Sequence, residues 1–472
     1  MTYEPRAVVE TAFSILEFSG DIVRKRKRPM HARWIDWSTP RLRQVACANE
    51  VELNQPLAAD VYLRVEDEFA PDGSLRDSVV VMRRLPAEQQ LGRMIRTAMP
   101  LTDAVEALAR TLSVFHAALP SDATIAISST PNALKDWWRA TIGDFRSEPT
   151  TSLPLSEVLE LALRFVDGCA PLFEERLHHG CIVDGHGDLG VDNVFLLDDG
   201  PRIIDRLDTN GWLRHGDVLR DLASLTLDLE LMGAASEAAH LRRTYCEMTA
   251  FVAPASLEHF YAAKRAVQLA TSAWPIPKAP IEQLLHAARD HLLAAAPEVW
   301  VIGGLPGTGK TTVADEVGDR LSAVVLHEHE MLREQEGIRD TVTLAANAAS
   351  YAEMIRRAGL AVSHGESVVL DADFSTEAQR SAAGAVAGPA SFVFTEIELQ
   401  CPSAARADRF TWRSHEQADD EMTLEDVLAQ RGRFDPWPSA HRVDTSGSVG
   451  DAADMVLAFV RSAPAPTVTK SR

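Results

Sequence analysis

The sequence predicts two unlike folds in series, an α+β unit followed by an α/β unit with a parallel sheet and flanking helices. Three observations carry this. Short apolar runs in the first part give way, near Thr102, to long stretches of helical period. Within those stretches, HGDLGVDN (His186 to Asn193) is followed by the hairpin-like VFLLDDGPRII and then by Asp205. Farther on, the apolar run VWVIGG leads into GLPGTGKT (Gly304 to Thr311) and a helical segment, the opening unit of a parallel α/β sheet.

At 472 residues the chain is long for one hydrophobic core, so two or three domains are expected. The net charge of -21 excludes a polyanion as main partner, so no nucleic acid is expected. Five scattered cysteines, none in CxxC spacing, read as reduced thiols rather than a disulfide framework or zinc site. No apolar run has the length of a membrane span, and MTYEPRAVVE lacks the apolar core of a signal peptide. A cytoplasmic protein with no membrane partner is the expectation.

In chain order, residues 8–90 alternate strands with charged stretches: SILEFSGDIVRKRK, a helical ARWIDWSTPRLRQVACANEVELNQPLA, and the strand DSVVVMRRL. That order suits the small lobe of a kinase-like fold, here 1–100. From Thr102, Val105, Leu108, Leu112 and Phe115 recur at helix spacing, and 155–180, 217–250 and 256–296 follow suit. This predicts a helix-rich large lobe over 101–296. A new strand begins after Pro297, which places an ATP-binding domain at 297–461. The Pro-, Ala- and Thr-rich 462–472 reads as a disordered tail.

Phosphoryl transfer from ATP needs a carboxylate to orient the attacking hydroxyl, ligands for Mg²⁺ and a cation on the phosphates. In HGDLGVDN, Asp188 would take the first role and Asn193 would ligate Mg²⁺. Asp205, brought back by the intervening hairpin, would supply the second metal position, while His186 would hold the loop by hydrogen bonds. The competing view, that these are ordinary turn residues, does not explain the spacing and both strand contexts together. Asp208, Asp217 and Asp221 read as caps and ties for the lobe's helices. Lys25 and Lys27 share a strand face, and Glu50 and Glu52 lie in the following helix. Lys25 with Glu50 is the favoured phosphate-side pair, against a merely solvated basic strand. A Gly-rich lid is missing, since Gly20 stands alone before the strand.

Gly304, Leu305, Pro306, Gly307, Thr308, Gly309, Lys310, Thr311 and Thr312 form a Walker A loop in the strand–turn–helix setting the motif requires. Glycines let backbone N–H groups face phosphate oxygens, Lys310 would reach the β- and γ-phosphates, and Thr311 would ligate Mg²⁺. Asp371 ends the apolar ESVVLDADF, with Asp373 two residues on, and is the candidate Walker B ligand. Arg406, Arg409 and Arg413 fall on one helix face and either close over the phosphates, with Arg409 and Arg413 as binders, or form a solvated stripe. HEHE (His327 to Glu330) reads as a surface strand end rather than a metal site.

Taken together, these segments resemble the bifunctional bacterial proteins that join an aminoglycoside phosphotransferase-like domain to a P-loop kinase-like, AAA-type ATP-binding domain. The resemblance rests on GDIVRKRKRP, NEVELNQPLAADVYL, FHAALP, VDGHGDLGVDNVFLLDDGPRIIDRLDTN and GDVLRDLASLTLDLE. In the second domain it rests on GGLPGTGKTT, GESVVLDADFSTEAQR and RADRFTWR. It implies a catalytic Asp188, metal ligands Asn193 and Asp205, and nucleotide phosphate on Lys310 and Thr311. Two departures stand out. The usual S-D-x-x-R-K reads HEHEMLRE, with His329 in place of the Asp and Glu328 or Glu330 as substitutes. The usual C-x-E-F-N reads R-L-D-T-N, ending at Asn210. The expected activity is ATP- and Mg²⁺-dependent transfer to a hydroxyl of a small molecule (sugar, amino sugar or aminoglycoside-like), with a second P-loop kinase or ATPase. The alternative is a first domain that only binds and a P-loop ATPase or regulator.

Overall fold

Antiparallel pairing opens the chain. In the computed structural model a five-stranded sheet runs in the order Ala7–Glu10, Ser14–Ser19, Ile22–Lys27, Leu75–Arg83, Tyr62–Phe69. The structure describes residues 7–32, 35–145, 155–251, 253–271, 279–336, 344–388, 393–406, 409 and 434–462. These fall into two units. One comprises Met1–Leu159, Phe173–Ala253 and Leu257–His291, and the other Glu160–Leu172, Pro254–Ser256 and Leu292–Arg472.

The strand Ile22–Lys27 explains how five consecutive cations can sit in a sheet. Side chains alternate faces along a strand. Arg24 and Arg26 go to one face, where Arg24 pairs with Glu66 and Arg26 with Glu68 at 2.7 Å. Lys25 and Lys27 go to the other, beneath the helix Pro40–Ala58. The two-residue turn into this strand uses Gly20 at φ +58°, where a side chain would be strained.

The helix was expected to start nearer Ala32, but it begins at Pro40. Thr39 caps it by accepting from the Leu42 N–H at 3.3 Å, and proline suits the first helical position because its missing N–H has no partner there anyway. The preceding Ile35–Asp36 pairs instead with His31–Ala32. The helix buries Arg43, Cys47, Glu50, Asn54 and Leu57 on one stripe, over a core of Val23, Val61, Tyr62, Val80 and Met82.

Beyond Leu91 the first unit is mostly helical. It holds the helices Thr102–Ala118, Pro131–Phe145, Val218–Leu231, Ala235–Met248 and Ala255–Thr271 and the two small strand pairs Val194–Leu197/Gly200–Ile203 and Ile182–Asp184/His215–Asp217, of which the first packs on Thr102–Ala118 and the second on Val218–Leu231. The stretch 217–250 is broken into two helices at Gly233, whose φ of +82° ends the first.

The second unit is a parallel sheet in the order Val324–His327, Val368–Asp371, Glu298–Gly303, Val393–Gln400, His441–Asp444. Its central strands are apolar on both faces, as helix-covered parallel strands must be. Trp300, Ile302, Val369, Ile397 and Leu399 pack with Val313, Ala314 and Val317 of the helix Lys310–Leu321. Among the described residues no helix is long and apolar enough to cross a membrane.

Candidate active sites

In the first unit, alternation along Ile22–Lys27 and helical spacing bring two lysines to one carboxylate. Lys25 Nζ lies 2.7 Å from Glu50 Oε1 and 2.5 Å from Asp205 Oδ1, and Lys27 Nζ lies 2.7 Å from Glu50 Oε2. Burial alone would push the Glu50 carboxyl up, but the Lys25 and Lys27 ammonium groups hold it down at about 2. Burial would also lower Lys25, yet Asp205 and Glu50 outweigh it and keep the amine charged well above its ordinary value. Glu52, on the same helix, is exposed and makes no part of this cluster.

Asp205 has φ +62°, rare for a residue with a side chain. Its N–H donates to the Tyr62 hydroxyl at 3.0 Å, and the next residue fixes the turn from the other side. The Arg206 N–H donates to Asn54 Oδ1 at 2.9 Å, and its buried guanidinium donates to the Gly185 carbonyl at 3.0 Å and to Asp184. The departure at R-L-D-T-N thus acquires a physical role: Arg206 couples the Glu50 helix to the loop that precedes His186. Asp208 was expected to cap a helix. It pairs with Lys27 instead, so a third carboxylate serves the two lysines.

The loop from His186 is held from below. Asp221 accepts from the His186 N–H at 2.6 Å and the Gly187 N–H at 3.0 Å, with His116 Nε2 at 3.5 Å. Despite burial, His116 and these neighbours keep Asp221 ionised far below the usual carboxylate range. His186 itself is buried, which lowers its pKa, and it donates from Nε2 to the Ile204 carbonyl at 3.0 Å. Its Nδ1 accepts from the Asp188 N–H at 3.4 Å, so the imidazole spans the loop and the strand before Asp205. Asn193 Nδ2 donates to the Asp188 carbonyl at 2.9 Å. Asp217 caps the helix Val218–Leu231 and takes both ends of the Arg176 guanidinium, at 2.6 and 2.8 Å. The Asp188 side chain is 44% exposed, with Arg265 2.8 Å away. Nothing in the sequence pattern signalled that arginine, which lies 77 positions downstream on a separate helix.

In the second unit, Gly304, Gly307 and Gly309 all have positive φ, at +144°, +81° and +87°. A Cβ on Gly304 would lie 2.5 Å from the Leu399 carbonyl oxygen, so only glycine lets the loop pass that strand. Buried Thr308 donates to the Leu305 carbonyl at 2.8 Å and closes the turn, with Pro306 between them. Lys310 Nζ lies 2.8 Å from Asp373 and 3.4 Å from the Leu305 carbonyl, across the mouth of the loop. Thr311 and Thr312 follow in the first turn of the helix.

Asp371, buried at the end of its strand, accepts a hydrogen bond from His327 Nδ1 at 2.8 Å, which raises the imidazole's pKa. HEHE is not a strand end throughout. His327 ends the strand, whereas Glu328 starts the helix Glu328–Glu336. His327, His329 and Asp371 each place a ligand atom within 4.8 Å of the others, a group able to hold a metal. Between the two substitute acids the geometry separates clearly. Glu330 is exposed, whereas Glu328 is half-buried, which raises its pKa, accepts from Ser350, and feels Asp373, Asp371 and Lys310. Arg409 donates to the Thr308 carbonyl at 3.3 Å and to the Thr445 carbonyl at 2.5 Å, bracing the loop backbone. Arg413 lies outside the described residues.

A strand-borne lysine paired with a glutamate, and an aspartate-bearing loop, mark the first unit, and a P-loop on a parallel sheet marks the second. Comparison with known proteins agrees for the second, where residues 299–437 match the AAA domain family. The chain is 31% identical over 470 aligned residues to the uncharacterized proteins Rv2004c of Mycobacterium tuberculosis (strain ATCC 25618 / H37Rv) and Mb2027c of Mycobacterium bovis, with 94% of each chain covered. It belongs to the family of these mycobacterial proteins. Among solved structures, a choline/ethanolamine kinase family protein from Mesorhizobium loti is 17% identical, with a TM-score of 0.38, covering 62% of this chain and 88% of that one. The Mycobacterium tuberculosis APS kinase CysC, in complex with AMPPNP and APS, is 20% identical with a TM-score of 0.29, covering 35% and 99%.

Proposed function

We propose that this protein is a cytoplasmic, ATP-dependent phosphotransferase. A kinase-like bilobal domain, over 1–100 and 101–296, passes phosphate to a hydroxyl of a small molecule, and the P-loop domain over 297–461 is a second kinase or an ATPase. The observation that carries the reading is the meeting of Lys25 with both Glu50 and Asp205, beside a loop that presents Asp188. In this reading Lys25 holds the ATP phosphates. Asp188 orients the acceptor hydroxyl and takes its proton as the oxygen bonds to the γ-phosphorus. The bond to the β,γ-bridging oxygen breaks, and ADP leaves with that oxygen.

Asn193 and Asp205 are the residues that would hold Mg²⁺, and both are oxygen donors on rigidly tied backbone, which suits that ion. When bound, it would offset phosphate charge. In the P-loop domain the backbone N–H groups of Gly304 to Thr312 would cradle phosphate, and Lys310 would counter its charge. Thr311 and Asp371 would hold the ion, and Glu328 would face the acceptor or water. Arg409 braces the loop, and Arg413 belongs to the same proposed set. Sugars, amino sugars and aminoglycoside-like alcohols are the acceptor classes considered.

One observation favours a second reading, in which the first domain binds without turnover and the protein is a P-loop ATPase or regulator. The hairpin Ser14–Lys27 turns on Gly20 alone instead of a Gly-rich lid. Acceptor-dependent ADP release separates the two. The phosphotransferase reading expects release that depends on an acceptor and is lost in Lys25→Ala; ADP release that ignores acceptors and is lost only in Lys310→Ala supports the second.

A further inference from the structure

The run HEHE sets two histidines two positions apart, across the end of a strand and the start of a helix. His327 closes the strand Val324–His327 and stands opposite Asp371 in the parallel register, while His329 is the second residue of the helix Glu328–Glu336. The two imidazole rings lie 5.3 Å apart, centroid to centroid, at 44° to each other. Glu328, between them, is taken up by the Ser350 hydroxyl. One donor atom from each of His327, His329 and Asp371 lies within 4.8 Å of the other two, and all three residues belong to the P-loop unit.

Two features separate this cluster from a chance meeting of polar side chains. The first is spacing. His327 Nδ1 and Asp371 Oδ2 are 2.8 Å apart. Two donors that each sit about 2.0–2.2 Å from one ion lie about 3 Å from each other, so little movement brings both onto a metal. The second is the far side of the ring. His327 Nε2 lies 3.1 Å from Asp315 Oδ1, on the helix Lys310–Leu321. A metal-bound imidazole ordinarily gives its other N–H to a carboxylate, which fixes the tautomer and the ring, and Asp315 stands in that place. Two neutral imidazoles with the Asp371 and Asp315 carboxylates balance a divalent cation. Without an ion the same contacts are an imidazolium tied between two carboxylates, which accounts for Asp315 and Asp371 but gives His329 no part.

We infer that the P-loop unit holds a divalent transition-metal ion of the zinc class on His327, His329 and Asp371, with Asp315 orienting His327. The ion takes the place of the proton between His327 Nδ1 and Asp371, which leaves to solvent. Imidazole nitrogens suit Zn²⁺, Co²⁺ or Ni²⁺, whereas Mg²⁺ prefers oxygen donors. Three protein ligands leave a position open to water or a phosphate oxygen, as in zinc sites that take part in chemistry. Asp371 also belongs to the proposed Mg²⁺ set and pairs in register with Ile302, on the strand that leads into the P-loop. The ion site stands whether or not this unit turns over ATP.

The test uses the full chain without a histidine tag, stripped of metal by chelation and free of nucleotide. Wild type is compared with His329→Gln, Asp315→Asn, Lys310→Ala and the double variant His178→Gln/His179→Gln, which removes an exposed pair of histidines in the first unit. Zn²⁺ is titrated by calorimetry, and Co²⁺ is followed by its visible absorption. Wild type should take up one ion per chain at this site, and excess Mg²⁺ should not displace it. His329→Gln should lose that uptake. Asp315→Asn should weaken it about 10- to 100-fold, the usual cost of removing an outer partner of a ligating histidine. Asp315 is 55% exposed, so its variant decides the matter if His329→Gln does not fold. Lys310→Ala and the double variant should bind as wild type does. No uptake by wild type, or uptake undiminished in both His329→Gln and Asp315→Asn, overturns the inference. So does displacement by Mg²⁺, or loss of the site in Lys310→Ala or in the double variant.

Discussion

Glu50 is the most exacting place to perturb the first domain. Its side chain is 2% exposed and lies 2.7 Å from both Lys25 and Lys27. The two lysines pull its pKa from an ordinary 4.5 to about 2. At 1.36 kcal/mol per unit, that corresponds to roughly 3 kcal/mol of folding stability, in the range measured when one member of a buried pair is removed. Because the folded value is depressed, this stability is present in full above pH 4.5 and is lost as pH falls through about 2. Glu50→Gln keeps the shape but leaves two buried ammonium groups facing each other, with Asp205 and Asp208 as their remaining partners. The melting temperature of the first unit at pH 7 should fall by about 5–10 °C. Since Lys25 loses one of its two anchors, acceptor-dependent ADP release should drop about 100-fold, as for other misplacements of a positioning cation. Scanning calorimetry and a coupled ADP assay read both, with exposed Glu52→Gln as the control that changes neither. A Glu50→Gln protein that melts and turns over like wild type would refute the reasoning.

Other outcomes follow from single contacts. Gly304→Ala places a Cβ 2.5 Å from the Leu399 carbonyl oxygen at φ +144°, so the second unit should lose about 2 kcal/mol or more in urea unfolding and its nucleotide binding with it. Glu258 is buried, and burial raises its carboxyl to about 7 although Arg242 and Thr226 act against this. A raised acid opposes folding once ionised, so stability should decline from about pH 4.5 to about pH 7, and Glu258→Gln should flatten that decline in unfolding curves at pH 5 and pH 8.

The P-loop was readable because all of its determinants are local: an apolar strand, three glycines, a lysine and a helix lie within 24 residues of one another, from Glu298 to Leu321. Lys25 with Glu50 was readable for a related reason, since strand alternation and helix position each need only a short window. What escaped depends on which distant faces meet. Asp208 looks like a cap in sequence, and only the fold shows that it returns to Lys27. Arg206, an apparent departure from a motif, is a tie to Asn54 that no spacing rule contains. Arg265 lies on an ordinary amphipathic helix, and periodicity gives the buried face of a helix but not the loop it approaches. The choice between Glu328 and Glu330 needed the helix start at Glu328, which turns the two residues to different surroundings.

The central claim is that Asp188, not the P-loop, directs phosphate onto an acceptor. Incubation with γ-labelled ATP and a panel of sugars, amino sugars and aminoglycosides, followed by separation of products, tests it directly. The account predicts a labelled acceptor from wild type and from Lys310→Ala, and at least ~100-fold less from Asp188→Asn, in line with the loss of a general base. Label on an acceptor from Asp188→Asn but not from Lys310→Ala would contradict it and assign the transfer to the second domain.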